Sequence, residues 1–499
     1  FELFTDSGQA AAACRESFTD RFIHVAGLGW LAYTGRAWRE VDDKVPLAEL
    51  RRWSTQKLAD ELAAGGDVKP WAKRLDTPKL RNALSLAEGF DGISVEPEQL
   101  DANPDVLNCR NGVVYLPTGD LTPHNPRLYL TKCTNVDYEP AAEHPDWKSA
   151  LAAIPDSMRE WMQTRFGQGI TGYACPDDRM LIMQGGGGNG KSTVTAGISG
   201  ALGDYYHQAP SRLLMGSHQG GHSADLADLR GTRFVAIEET PESGRLDVVV
   251  LKTIAGTPRV SARKLYKDPV SFPATHTVFL NTNYTPIVGE TDEGTWRRLL
   301  LAVFPYTYAD DPIEDLELPK DPHLRARIEK GPDQHKAALA WFVEGAKRWY
   351  EGGREFPPVP TMVRSDTDEW RNRTDSVATF WNDHLDPNPD CYIWASDLVW
   401  VFNNYMRQNG NSGIAEQTFW RRFAHHALTA GALVSKRKVR NGPGQTLEMS
   451  RPLGKLDPYG RLPGVPSGQI WAWVGVKFRP VEDGPSYTRG WEGEAGETR

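Results

Sequence analysis

Residues 185–192 read GGGGNGKS, five glycines in eight positions closed by a lysine and a hydroxyl side chain. The string fits G-x-x-x-x-G-K-[ST]. It directly follows the apolar run MLIMQ and leads into TVTAGISGALG, so strand, loop and helix are expected in that order. A triphosphate carries several negative charges, so a backbone that binds it must come close with its N–H groups pointing inward. Gly185, Gly186, Gly187, Gly188 and Gly190 permit that approach. Lys191 is then expected to reach the β- and γ-phosphates of ATP, and Ser192 to offer its hydroxyl to magnesium. The helix N-terminus adds partial positive charge. Asn189 and Thr193 complete the segment expected to bind nucleotide. A flexible glycine turn is the competing reading, but it requires neither the strand before nor the helix after.

A phosphate loop needs an acidic partner from a second strand, and RFVAIEET at 233–240 supplies one: an apolar strand ending in Glu238 and Glu239. By position Glu238 is expected to hold the magnesium and Glu239 to orient or deprotonate the attacking water. A surface pair at a strand end is the plain alternative.

Length and composition set the frame around this centre. The 499 residues suggest roughly three domains. A hydrophobic share of 39%, a charged share of 24% and 17 tryptophans are those of a globular chain rich in indoles, so several cores are expected. No stretch has the roughly 18–20 uninterrupted apolar residues of a membrane span, and FELFTDSGQAAAACRESF lacks a signal-peptide pattern. A cytoplasmic protein is the expectation. Cys14, Cys109, Cys133, Cys175 and Cys391 are widely spaced, which favours buried thiols over disulfides or zinc. A net charge of −8 argues against coating nucleic acid by bulk charge, so any DNA contact must be local. The chain starts at Phe1 and not Met, which reads as a start inside a longer polypeptide.

Along the chain, residues 1–140 mix helix, short strands and turn signals (GLGW 27–30, NG 111–112, TGD 118–120, HNP 124–126), an α+β or mainly helical module. Residues 141–310 alternate helices with the strand-like runs RMLIM, RFVAI and HTVFL, an α/β nucleotide-binding pattern. Residues 311–385 read as a helical lid and connector, in which HKAALAWFVEGAKRWYEGG and SDTDEWRNRTDSVATFWNDHL are helices separated by the stiff EFPPVPTM. Residues 386–480 read as a winged-helix-like module, with IAEQTFWRRFAHHALTAGAL as one helix and SKRKVRNGPG plus QIWAWVGVKF as a basic wing. Residues 481–499 read as a disordered tail.

Together ADLADLRGTRFVAIEET, LKTIAGTPRVSARKLYKDPVSF, HTVFLNTNYTPI and DEGTWRRLLLAVF resemble the poxvirus and phage primase-helicase family of superfamily 3 helicases. The likeness extends upstream, where TDSGQA, GLGWLAYTGRAWRE and LNCRNGVVYLPTGDLTPHNP are similar to that family's helicase-associated N-terminal domain. The resemblance covers roughly the first 310 residues. It implies an AAA+ type ATPase of the kind that assembles as a hexameric ring around single-stranded DNA and usually moves 3′ to 5′, encoded by a phage or mobile element of a bacterial host.

Carried over by residue, Asn283 in FLNTNYTP matches the family's polar sensor; without the resemblance, an Asn at a strand end making a turn with Pro286 is the preferred reading. WRR at 296–298 matches the arginine motif that reaches a neighbouring subunit's site, with Arg298 the first choice and Arg297 the second. RVSARKLYKDPVSF lies where the superfamily inserts a channel hairpin, so Arg263, Lys264 and Lys267 are candidates for strand phosphates and Tyr266 for a base. Thr257 and Pro258 depart from the acidic residue the family commonly carries before this hairpin. A solvated basic hairpin is the alternative. In the C-terminal module, Arg421, Arg422, Lys436, Arg437, Lys438 and Arg440 are candidates for duplex phosphates near a fork, against a packing or partner-docking role. His425 and His426 read as helix residues and not metal ligands.

The leading expectation is therefore an ATP-driven DNA helicase motor of phage- or plasmid-like replication. Its expected partners are single-stranded and forked DNA, further copies of itself, and a primase and polymerase. A P-loop ATPase that translocates or packages DNA without unwinding is the second reading, and an ATP-switched origin-binding or loader protein the third. The basic hairpin favours the first over the second, and the paired glutamates favour hydrolysis over a switch. No carboxylate cluster for primase chemistry is found.

Overall fold

The computed structural model describes residues 3–215, 222–242, 244–262, 270–288, 293–409, 413–451 and 467–479. The chain divides into two compact units, residues 1–368 and 369–499. This division is coarser than the five segments expected from the sequence, and it falls inside the helix Thr361–Thr374.

The first unit opens as an α+β module. Helices Asp6–Ala13, Lys44–Ala63 and Thr77–Ala87 pack over a four-stranded sheet that includes Phe22–Val25 and Gly29–Tyr33, with Phe18, Trp30, Trp53 and Trp71 in the core between them. The turn signals act where they were read. Gly27 takes φ +78° between two paired strands, and Asn111–Gly112 turns Val106–Cys109 back onto Gly112–Tyr115.

The centre of the unit is a five-stranded parallel sheet. Its strands are β1 (Met180–Gln184), β2 (Tyr206–Ala209), β3 (Phe234–Glu238), β4 (Thr277–Thr282) and β5 (Leu299–Val303), in the order β5-β1-β4-β3-β2. The three runs expected as strands are strands, displaced by a residue or two. A parallel sheet must be covered on its faces, which is why these strands are nearly continuous hydrophobic runs. On one face Phe234 and Phe279 stack at 4.1 Å, and Phe166 of α1 (Asp156–Gln168) meets both edge-on. Such aromatic pairs add about 0.5–1.5 kcal/mol each beyond their buried area. Helices α2 (Lys191–Leu202) and α3 (Pro332–Glu351) close this core, with α3 ending at Gly352 as expected. Gly167 and Gly345 let α1 and α3 touch backbone to backbone, because a Cβ on either would lie 2.1 Å from main-chain atoms of the other helix.

The Pro-rich connector is docked on this unit. Phe356 lies 4.1 Å from the guanidinium of Arg165, which is itself buried and donates to Asp177 at 2.8 and 3.1 Å.

In the second unit, α4 (Ser376–His384), β6 (Leu385–Trp394), α5 (Ala395–Gln408), α6 (Glu416–His425) and α7 (Ala427–Gly431) precede β7 (Ser435–Asn441), β8 (Glu448–Met449) and β9 (Gly468–Phe478). The sheet order is β7-β9-β6-β8, with β9 antiparallel to both β7 and β6. Two helices read as continuous are broken. Asp375 leaves the helical region and caps the amides of Val377 and Ala378, both at 3.0 Å, which separates Thr361–Thr374 from α4. His426 does the same between α6 and α7: Nδ1 accepts from the Leu428 amide while Nε2 lies 2.9 Å from Asp375. In both places a side chain satisfies the orphan amides of a new helix start. The expected tail lies outside the described residues.

No helix of the described residues is long and apolar enough to cross a membrane. Cys14, Cys109, Cys175 and Cys391 are buried thiols and Cys133 is partly exposed.

Candidate functional site

The chain leaves β1 at Gln184, makes a loop of glycines and enters α2 at Lys191. Gly190 is required by space as well as conformation, and Gly185 is crowded by side chains alone. Gly190 sits at φ +82°, and a Cβ there would lie 2.7 Å from the Ala153 methyl; at Gly185 a Cβ would lie 2.9 Å from Lys191 Nζ. Gly187 and Gly188 also take positive φ, and with Gly186 they are exposed. Asn189 points inward, its Nδ2 donating to the carbonyls of Phe304 and Tyr306 at 3.2 and 2.8 Å. It braces the loop against the exit of β5. Ser192 is exposed on the first turn of α2, with Thr193 partly exposed beside it.

Lys191 is 8% exposed and donates to the carbonyl of Gly185 at 2.8 Å. Burial pulls its ammonium down to about 8, and among the described residues no carboxylate offsets the loss of solvation. A buried cation whose partner among the described residues is a carbonyl favours an anionic ligand, and the glycine loop leaves room for one at a helix N-terminus. The residues present therefore fit a nucleotide's phosphates.

Parallel pairing brings the other candidates to the same sheet edge. β4 lies between β1 and β3, with Thr282 opposite Gln184 and Asn281 opposite Glu238. Glu238 is the last residue of β3 and is partly exposed. Glu239 is exposed and adopts φ +58°, a left-handed backbone unusual for glutamate. Strain of this kind costs on the order of 1–3 kcal/mol, and here it turns the chain at the end of the strand. Thr240 and Thr282 join their hydroxyls at 2.5 Å just beyond.

Asn283 is exposed at the exit of β4. Its carbonyl accepts from Gln184 Nε2 at 3.1 Å, while the Gly185 amide donates to the Thr282 carbonyl at 3.2 Å, so the sensor position is tied to the start of the glycine loop. Thr282 Oγ1 also donates to the Tyr284 carbonyl at 2.6 Å and accepts from the Tyr284 amide, fixing the turn.

The two arginines differ. Arg298 is 14% exposed, donates to the Gly294 carbonyl at 2.5 Å and lies 3.8 Å from Asp178, all within the chain. Arg297 is exposed. Arg263, Lys264, Tyr266 and Lys267 lie outside the described residues. Their stem is described: Arg259–Ala262 pairs antiparallel with Val270–Pro273, so the seven residues between join two strands of a hairpin. Thr257, at the noted departure, caps the preceding helix by donating to the Thr253 carbonyl at 2.5 Å.

Two residues of this site had no signal in the sequence. Gln208 Nε2, on β2, donates to Glu238 Oε2 at 3.1 Å. Asn281 is buried in β4 and donates to Thr195 Oγ1 of α2 at 2.8 Å. Both become neighbours of the site only through strand order, which residue spacing does not carry.

A five-stranded parallel sheet with a glycine loop and acidic residues at its carboxyl-terminal edge defines a mixed α/β protein with a candidate phosphate site. Comparison with known proteins refines that class. Residues 11–154 match the family described as D5 N terminal like, and residues 183–298 match a family of unknown function (DUF5906). The chain is 25% identical over 395 residues to "Putative helicase L207/L206" of Acanthamoeba polyphaga mimivirus, covering 71% of this chain and 40% of that protein. It is 27% identical over 332 residues to "Putative primase C962R" of African swine fever virus (isolate Tick/Malawi/Lil 20-1/1983), covering 63% and 34%. "Putative helicase 184R" of Invertebrate iridescent virus 6 is 22% identical over 382 residues, covering 69% of this chain and 39% of that protein. The chain thus spans well under half the length of these relatives. A solved structure, the apo A form of the NrS-1 C terminal region, aligns with 94% of this chain and 99% of its own at a TM-score of 0.47 and 12% identity. The resemblance drawn from the motifs is borne out: residues 11–154 match the D5 N terminal like family, and relatives of the chain bear the names of helicases and primases of large DNA viruses.

Proposed function

We propose that this chain is the ATP-driven motor of a replicative DNA helicase, working as a ring of identical subunits, within or beside a primase-helicase. The observation that carries the reading is the convergence of the glycine loop, Glu238, Glu239 and Asn283 at the carboxyl ends of three adjacent parallel strands. Open α/β sheets bind ligands at that edge. The strand order of the first unit supports an AAA+ type core, and one helix, one strand, three helices and then the antiparallel pair β7 and β9 in the second unit support a winged-helix-like module.

In this mechanism Lys191 and the loop amides hold the phosphates of ATP. Ser192 and Glu238 would hold magnesium, which would supply positive charge against the phosphates. Glu239 orients and deprotonates the attacking water, and Asn283 reads the terminal phosphate beside it. Gln208 keeps Glu238 aligned. Of the arginine pair, exposed Arg297 is suited to reach a neighbouring subunit, while Arg298 braces its own. The basic hairpin residues Arg263, Lys264, Tyr266 and Lys267 grip the strand in the channel.

The test is strand displacement on forked DNA with ATP and magnesium, alongside ATP turnover. Unwinding by the unmodified chain, lost in Glu239→Gln and in the triple alanine variant of Arg263, Lys264 and Lys267, is expected. ATP turnover stimulated by DNA but without displacement would favour a translocase. Nucleotide binding with no turnover would favour an assembly switch.

A further inference from the structure

In the second unit, β7 and β9 pair with Lys436 opposite Trp473, Lys438 opposite Trp471 and Arg440 opposite Gln469. Directly opposed residues of an antiparallel pair point to the same face. The other face is a buried cluster of Val439, Ile470, Ala472 and Val474. On the first face Trp473 is buried among Phe419 and Phe423 of α6, whereas Trp471, two residues earlier, has run past that cover and is 49% exposed. Lys436 Nζ lies over the ring of Trp420 on α6 and 5.5 Å from the Trp471 ring, and Lys438 Nζ lies 5.6 Å from Trp471.

Along β7 the charge is one-sided, and Glu416 at the start of α6 is the carboxylate that acts on Lys436. Residues 435–447 hold Lys436, Arg437, Lys438 and Arg440 and no acidic residue, in a chain of net charge −8. Among the described residues, no carboxylate forms an ion pair with Arg437, Lys438 or Arg440. An isolated exposed indole is unremarkable on a protein surface. One beside a strand of cations has what sequence-tolerant binding of unpaired bases uses: a flat ring to stack on, with positive charge along the adjacent strand for the backbone.

We propose that Trp471, flanked by Lys436, Lys438 and Arg440, binds single-stranded nucleic acid, with one unpaired base stacked on the indole and successive phosphates held by the alternate cations of β7. Alternate strand residues are about 6.8 Å apart, a spacing that an extended, unstacked strand can follow and a stacked duplex cannot. A base inside a duplex has both faces covered by its neighbours, so stacking on Trp471 selects unpaired bases. This surface is separate from the glycine-loop site and does not need ATP.

The experiment uses the full chain in the absence of nucleotide, in a Lys191→Ala background, so that its result is independent of the ATPase reading. Fluorescence anisotropy is measured with a labelled oligothymidylate and with a blunt duplex of equal length. A second oligothymidylate carrying 5-iodouracil is photocrosslinked and the attached residue mapped. Trp471→Ala is expected to abolish the crosslink at Trp471 and to weaken single-strand binding by about 5- to 150-fold, with duplex binding unchanged. Trp471→Phe should recover most of the affinity. Lys438→Ala and Arg440→Ala should each flatten the log-log salt dependence by about 0.7, while Trp471→Ala leaves the slope unchanged. Because Trp471 is half exposed, melting curves should coincide for all variants. No crosslink at this face together with unchanged affinity in Trp471→Ala overturns the proposal. Equal loss of duplex and single-strand binding overturns it too, as does displacement of the oligonucleotide by polyglutamate at equal charge, which would mark a surface for acidic protein.

Discussion

The ammonium of Lys191 donates to the carbonyl of Gly185 across 2.8 Å, so the cation of the glycine loop is folded back onto the loop's first residue. Burial holds it at about 8, below the ordinary lysine value. Bound phosphates favour the charged form and raise that value, so the complex holds the proton more tightly than the free site. Nucleotide affinity is therefore expected to be flat below about pH 8 and to fall above it by up to about tenfold per pH unit. Calorimetric titration in buffers of different ionisation enthalpy should show proton uptake on binding at pH 8.5. Affinity unchanged to pH 9.5 would contradict this.

The bond from Asn281 Nδ2 to Thr195 Oγ1 fastens β4 to the helix that follows the glycine loop. Thr195→Val preserves shape but leaves a buried amide without its acceptor, which should destabilise the first unit by about 1–3 kcal/mol. Adding Asn281→Leu should cost less than the sum of the two single changes, because the pair is lost together. Denaturant unfolding of the four proteins checks this, and strict additivity would show that the bond is unimportant.

How much of this could be read beforehand depends on which interactions are local. The loop from Gly185 to Ser192, the strands flanking it and the turn at Asn111–Gly112 are governed by backbone requirements within a few residues, and the sequence displays them. Asn281 against Thr195, Gln208 against Glu238 and Phe356 against Arg165 join residues 30 to 191 positions apart, brought together by strand order and helix packing. The helix breaks at Asp375 and His426 escaped for a different reason. Apolar periodicity continues through both, and only the capping bonds, one of which links each cap to the other, show that the helix restarts.

Arg298 and Arg297 should separate by what they disturb. Arg298→Ala removes bonds to Gly294 and a charge near Asp178 and should lower the melting temperature of the isolated chain. Arg297→Ala should leave melting unchanged and abolish ATP turnover. Mixing it with Glu239→Gln subunits should restore part of that turnover, because each supplies what the other's composite site lacks. Rescue with Arg298→Ala and none with Arg297→Ala would reverse the assignment.

His276, between the hairpin stem and the core of β4, is 2% exposed, and burial pushes its imidazole down to about 4. The folded state keeps it neutral while the unfolded chain protonates near pH 6.5. Its contribution is therefore full above about pH 6.5 and is lost as pH falls towards 4, by up to about 3 kcal/mol. Substitution by phenylalanine should flatten that part of the stability-pH curve. An unchanged acid limb would contradict the prediction.

The central claim is that residues 185–192 bind and position ATP for hydrolysis with Glu239, and steady-state ATP turnover in Lys191→Ala tests it most directly. Lys191 folds back onto the glycine loop at Gly185, so truncating it should leave the variant folded while its turnover falls to background. Turnover at the unmodified rate in a folded Lys191→Ala protein would contradict the account.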